Sequence, residues 1–199
     1  MTPSWIVRSN ELAEPVIALY SLAGPETASS LGLTQADTSA TDLREGWRDR
    51  VREAAFRAAE TLRAAASAET DARVREDIAI LARAVDDVVL GLDVLDANLI
   101  QVIDVARIAF AGIRVLLDEQ NPLERKRLAL TRLRRYAGLE PNTAPLASGA
   151  QAETRARLAQ SELTGPYAVE VRTSLALGPV LLDGIEQLLQ TSGLDGWRE

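Results

Sequence analysis

The sequence predicts an all-α domain, a single bundle-like unit of about seven or eight helices with no sheet, and three observations carry that expectation. Apolar residues recur at steps of three and four along most of the 199-residue chain, the spacing that stacks side chains on one helical face. Glycine and proline fall between those periodic stretches, at Gly24-Pro25, Gly138, Gly165-Pro166 and Gly193, where they punctuate helices. No stretch requires the two-residue alternation of a half-buried strand. The length suits one domain at about 150 residues per domain. It divides into short helices and a loop (1–40), long core helices (41–120) and shorter helices separated by Pro and Gly (121–199).

Asn10, followed by Glu11 and Glu14 in the positive first turn, predicts the start of a short helix through Tyr20 and Leu22 that Pro15 delays or bends. Gly24-Pro25 ends it. Pro25 suits the first position of another short helical turn over 26–31, and Gly32 suits its left-handed end. Residues 34–40 are small and polar and read as a loop. Thr41 or Asp42 is the expected cap of a long element whose face is Leu43, Trp47, Val51, Ala54, Ala58 and Leu62, with Arg44, Arg48, Arg52 and Glu53 on the other side. After a break at 67–70 comes the clearest periodicity: Val74, Ile78, Leu81, Val85, Val88, Leu92 and Leu95, in steps of 4, 3, 4, 3, 4, 3. This stripe fits either an intramolecular core or a coiled-coil seam between subunits. It spans only about three heptads, near the minimum for a coiled coil, and the core is favoured.

Asp96-Ala97-Asn98 is a candidate interruption before Ile103, Ala106, Phe110, Ile113 and Leu117. The β-branched density there also suits strands, but Arg107 and Arg114, seven apart on the opposite face, favour helix. Asn121-Pro122-Leu123-Glu124 combines an Asn cap, Pro at the first helical position and a capping-box Glu. The helix it starts should run to Tyr136-Ala137 and stop at Gly138. A loop with Pro141 and Pro145 leads to a polar helix over about 147–160. Gly165-Pro166 opens another, which Gly178-Pro179 is expected to divide, leaving Val180, Leu181, Ile185, Leu188 and Leu189 as the last apolar face.

With no His and no Cys, the chain cannot by itself form a His or Cys metal site, a Ser-His-Asp triad, a Cys-His dyad or a disulfide. No cofactor is expected. A net charge of −7 disfavours nucleic acid, which needs a cationic face. No secretory signal is visible at the start, and the most apolar region, 88–117, is interrupted by Asp93, Asp96, Asp104, Arg107 and Arg114, so no membrane span and a cytoplasmic location are expected. Asp86-Asp87 begins an Asp-Asp-x-x-Asp magnesium box, but the third position is Leu90, and a solvated acidic edge is the better reading. Asp93, Asp96 and Asp104 are further acidic candidates, able to pair with Arg107. The local excess of basic residues, Arg125, Lys126, Arg127, Arg132, Arg134 and Arg135, spreads around the helix and favours an ion-paired surface over an anion site. Tyr136 is expected to pack its ring and wet its hydroxyl. Arg134, Arg135, Tyr136 and Tyr167 are the candidate ligand or partner surface. The hydroxyls of Ser161, Thr164 and Tyr167 have no identifiable activating base.

Several of these segments resemble a family. Asn121-Pro122-Leu123-Glu124-Arg125, the stretch 129–140, Gly165-Pro166-Tyr167 and Leu182-Asp183-Gly184-Ile185 look like the N-terminal helical part of bacterial proteins of the domain-of-unknown-function family number 885. The stretch 24–33 is similar to that family's opening. The resemblance implies longer helical relatives with a His-Glu motif of zinc-peptidase type in their C-terminal portion. Nothing in this chain matches that motif, so no catalytic residue carries over. The implied role is a scaffold or docking domain whose partner is a missing C-terminal half, a separate catalytic chain or a second copy. Such a domain should expose an apolar patch. The alternatives are a stand-alone module that self-associates through the stripe at 74–95, and a metal-free enzyme with an inter-helix pocket.

Overall fold

A computed structural model describes residues 3–197. Among these residues, eight helices, α1 (Ser4–Ala23), α2 (Pro25–Ser30), α3 (Trp47–Ala68), α4 (Ala72–Asn98), α5 (Val105–Leu116), α6 (Leu123–Tyr136), α7 (Leu146–Leu158) and α8 (Ala168–Thr191), account for the architecture, with a 3-10 turn at Thr34–Ala36. Among the described residues, β structure is confined to one isolated bridge between Leu99 and Thr164.

Two hydrophobic cores organise the molecule. In the first, Leu12, Val16 and Leu19 of α1 meet Val51, Ala55, Ala58 and Leu62 of α3 and Val74, Ile78 and Val85 of α4. Leu81, Val88 and Leu92 are half-buried against the same cluster, so this part of the stripe faces α1 and α3 inside the chain. Leu95 is half-buried and lines a cavity beyond the end of that core. The second core joins Ala109, Ile113 and Leu116 of α5 to Ala129 and Tyr136 of α6, Leu146 of α7, and Ile185 and Leu189 of α8. Helix α2 touches both α1 and α5 and bridges the two.

Several helix boundaries depart from local signals. Helix α1 begins at Ser4, not Asn10, and Pro15 lies within it. The hydrogen bond that Pro15 cannot donate belongs to the exposed Glu11, whose carbonyl water can satisfy, and burial of Leu12, Val16 and Leu19 on either side offsets the loss. Helix α3 begins at Trp47, with Gly46 in the left-handed region at φ 72°. Asp42 accepts from the Arg44 amide at 3.0 Å in a separate turn and does not cap the helix. Asn121 likewise does not cap α6. Its amide donates to the carbonyls of Val115 and Leu116, closing the end of α5, while its oxygen accepts from Arg125. Helix α8 runs unbroken through Gly178-Pro179 because Pro179 sits on its exposed side.

Helix α4 does carry a side-chain cap: Asp71 accepts from the Arg73 amide at 2.9 Å and pairs with the Arg73 guanidinium at 2.8 Å. The Arg73 side-chain hydrogen bond, then the backbone one, hold the Asp71 carboxyl at about 2, below its ordinary 3.8. A carboxyl depressed on folding stabilises the fold above its unfolded value and loses that contribution as pH falls through the folded one. NMR titration should therefore place the Asp71 midpoint near 2. Helical content at the start of α4 should decline as pH falls from about 4 to 2. A midpoint at the ordinary value would remove the cap.

Candidate functional site

The candidate surface of Arg134, Arg135, Tyr136 and Tyr167 does not form one site. Arg134 pairs with Glu140 at 2.9 Å on the surface. Arg135, one residue on, is half-buried with its Nε unpaired. Tyr136 is 7% exposed, and its hydroxyl is not wetted: it donates to Glu26 Oε1 at 2.7 Å. Burial first, and the facing Glu26 carboxylate second, push the phenol far above its ordinary range. Tyr167 is half-exposed on the rim of a different cavity, beside Gln101, Asp104 and Arg107.

Tyr136 belongs to a buried polar clasp. Arg132 is fully buried and donates to the carbonyls of Gly112, at 3.0 Å, and Ala36, at 2.6 Å. Burial lowers its guanidinium pKa. Asp37, 1% exposed, accepts from Ser29 Oγ at 2.6 Å and from Arg125 Nε at 2.8 Å and Nη2 at 3.1 Å. Glu26 also accepts from the Thr41 amide and hydroxyl. These bonds tie α2 and the 3-10 turn to α5 and α6. The Asp37 and Glu26 oxygens are taken up by these clamping donors, so the cluster is a structural clasp and not a nucleophile with its base. Two of the six residues of the basic run, Arg125 and Arg132, are consumed here, which no local spacing could reveal.

A second convergence joins α3, α4 and α7. Asp96 Oδ1 lies 2.5 Å from Arg48 Nε and 3.6 Å from Arg157 Nη1, while its Oδ2 accepts from Arg52. Arg48 also reaches Glu153 at 2.6 Å, and Arg157 Nη2 donates to the carbonyls of Leu95, Asp96 and Leu99 at the end of α4. Asp93 pairs with Arg52. Only Asp104 pairs with Arg107, at 3.4 Å. Beside this network a cavity of about 340 Å³ is lined by Trp47, Leu95, Val102 and Ile108 together with paired charges. Asp86 and Asp87 are exposed, and no group of His, Cys, Asp and Glu suited to a metal ion occurs among the described residues.

The surface feature that stands out is α8. Its residues 175–182 carry no charged or hydrogen-bonding side chain, yet Leu175, Val180 and Leu182 are 72%, 64% and 56% exposed. Val169 is exposed one and a half turns earlier. Val180 therefore lies outside the apolar face expected to be buried; only Ile185 and Leu189 are fully covered, with Leu181 and Leu188 half so. Helix α8 packs on α5, with Gly184 against Phe110, which leaves both flanks of its middle, residues 175–182, bare. No helix among the described residues is long and apolar enough to cross a membrane. Neither a family model, nor a curated protein, nor a solved structure matches this chain.

Proposed function

We propose that this chain is a non-catalytic helical docking domain and that the exposed middle of α8, residues 175–182, is the surface that docks. The observation that carries the reading is the apolar run 175–182, bare on both flanks. A helix apolar all round is normally buried on every side, and contiguous apolar surface of this kind marks interfaces. The resemblance to the N-terminal helical part of the zinc-peptidase-like family suggests the occupant: a catalytic half, carried by the same or another chain, that supplies the His-Glu motif. The chain's own lack of His fits a division in which chemistry lies on the partner. Self-association through 74–95 is disfavoured by the burial of Val74, Ile78 and Val85 inside the chain.

The test supplies the C-terminal portion of a family relative, carrying the His-Glu motif, in trans. Binding is the expected result, and the double variant Leu175→Glu/Leu182→Glu should weaken it at least about 100-fold, since each buried Leu contributes about 1.5–3 kcal/mol. The circular dichroism spectrum should not change, because both side chains are already exposed. Equal binding by the variant, or none by the parent, would reject the reading. Self-association that the double variant abolishes would make the occupant a second copy.

A further inference from the structure

At the C-terminal end of α6, the loops 40–44 and 141–144 enclose a cavity of about 300 Å³ lined by Thr41, Asp42, Arg44, Arg135, Asn142 and Thr143, among others. Its donors are incompletely used. The Arg135 side chain makes no hydrogen bond or ion pair with any described residue, and its Nε is buried without a partner. A buried guanidinium N–H left unpaired is costly and calls for an acceptor. Arg44 turns Nε and Nη2 onto Asp42, and its Nη1 has no partner among the described residues. Asn142, held in the left-handed region at φ 58°, brings an unpaired amide to the rim.

Two carboxylates lie close, and both are already satisfied. Asp42 is bound by Arg44 and, at 3.2 Å, by Arg50; the Arg44 hydrogen bond lowers its pKa, so it stays ionised. Glu26, behind Thr41, spends its oxygens on Thr41 and Tyr136. The cavity lining itself carries two guanidiniums, Arg44 and Arg135, against the one occupied carboxylate of Asp42, a local positive excess in a chain of net charge −7. A guanidinium fork matches the paired oxygens of a carboxylate or phosphate.

We propose that this cavity binds a small oxyanion, with Arg135 as its principal donor and Arg44 and Asn142 completing the cradle. The ligand is a phosphate group or a carboxylate, chemistries that two arms of one experiment separate. Inorganic phosphate and succinate are titrated separately into the isotope-labelled chain while the arginine Nε–Hε resonances are followed. The Arg135 resonance should shift saturably in at least one arm, identifying that anion, and the shift should weaken with added salt. Arg135→Gln should weaken binding about 10- to 100-fold, the worth of a charge-assisted hydrogen bond. Should that variant fold poorly, Arg44→Gln removes an exposed side chain and should weaken binding in the same direction. No saturable shift in either arm, or unchanged affinity in the folded variants, overturns the proposal.

Discussion

Replacing Gly112 with alanine is expected to lower the melting temperature by about 6–12 °C, although it adds a single methyl group. Gly112 sits on α5 where α6 crosses, and the added carbon would overlap Tyr136 Oη while lying 3.0 Å from Glu26 Cγ and 3.3 Å from Arg132 Cδ. Neither Tyr136 nor Arg132 has free space to enter: Arg132 is fully buried and Tyr136 nearly so. Overpacking a filled site costs about 1–3 kcal/mol. Displacing Tyr136 also breaks its bond to Glu26 and leaves a buried hydroxyl unpaired, for about 1–3 kcal/mol more. The sum, about 3 kcal/mol or more, translates at about 2–4 °C per kcal/mol for a chain of this size. Calorimetry is the check, and a variant that melts like the parent would mean the clasp is loose.

Val85→Glu should abolish the fold, costing more than about 4 kcal/mol. Val85 is 2% exposed in the first core, which joins α1, α3 and α4, and the cation that lines the same cavity, Arg52, is already paired with Asp93 and Asp96. Leu81→Glu, half-buried against the same cluster, should act in the same direction but less severely, because its carboxylate can turn toward water. The measurement is far-UV circular dichroism with sedimentation. Loss of helicity is the expected outcome, while folded monomers would reassign the stripe at 74–95 to a seam between subunits. The contrast with Leu175→Glu is informative. The same chemical change on α8 should leave helicity intact, since its cost falls on an interface and not on the interior.

The helices themselves were legible because each long one carries an apolar period that only a helix can bury. Local chemistry was enough where a residue's partners are its own neighbours: Pro25 opens α2 and Gly138 closes α6 at φ 72°. It misled where a polar side chain had a better distant use. Asn121 has the sequence context of a cap, but the carbonyls at the end of α5 are nearer to hand. Gly178-Pro179 looks like a break, yet a missing hydrogen bond on a helix's exposed side is made up by water.

The candidate site was less legible, for the same reason. Arg125, Arg132, Arg134 and Arg135 share one helix, and nothing in their spacing distinguishes the two that are drawn into the clasp from the one paired with Glu140 or the one left uncommitted. That depends on which loop the chain brings opposite: Ala36 and Asp37 lie 96 and 88 residues from their arginines.

Composition alone excluded thiol and imidazole chemistry from this chain, and periodicity alone made it helical, because both are properties of residues taken singly or a few apart. The pairing of helices into two cores, the burial of Arg132, the bare flanks of α8 and the unpaired Arg135 were decided only when distant segments met. Burial and hydrogen-bond satisfaction belong to the packed whole, and no window of sequence contains them.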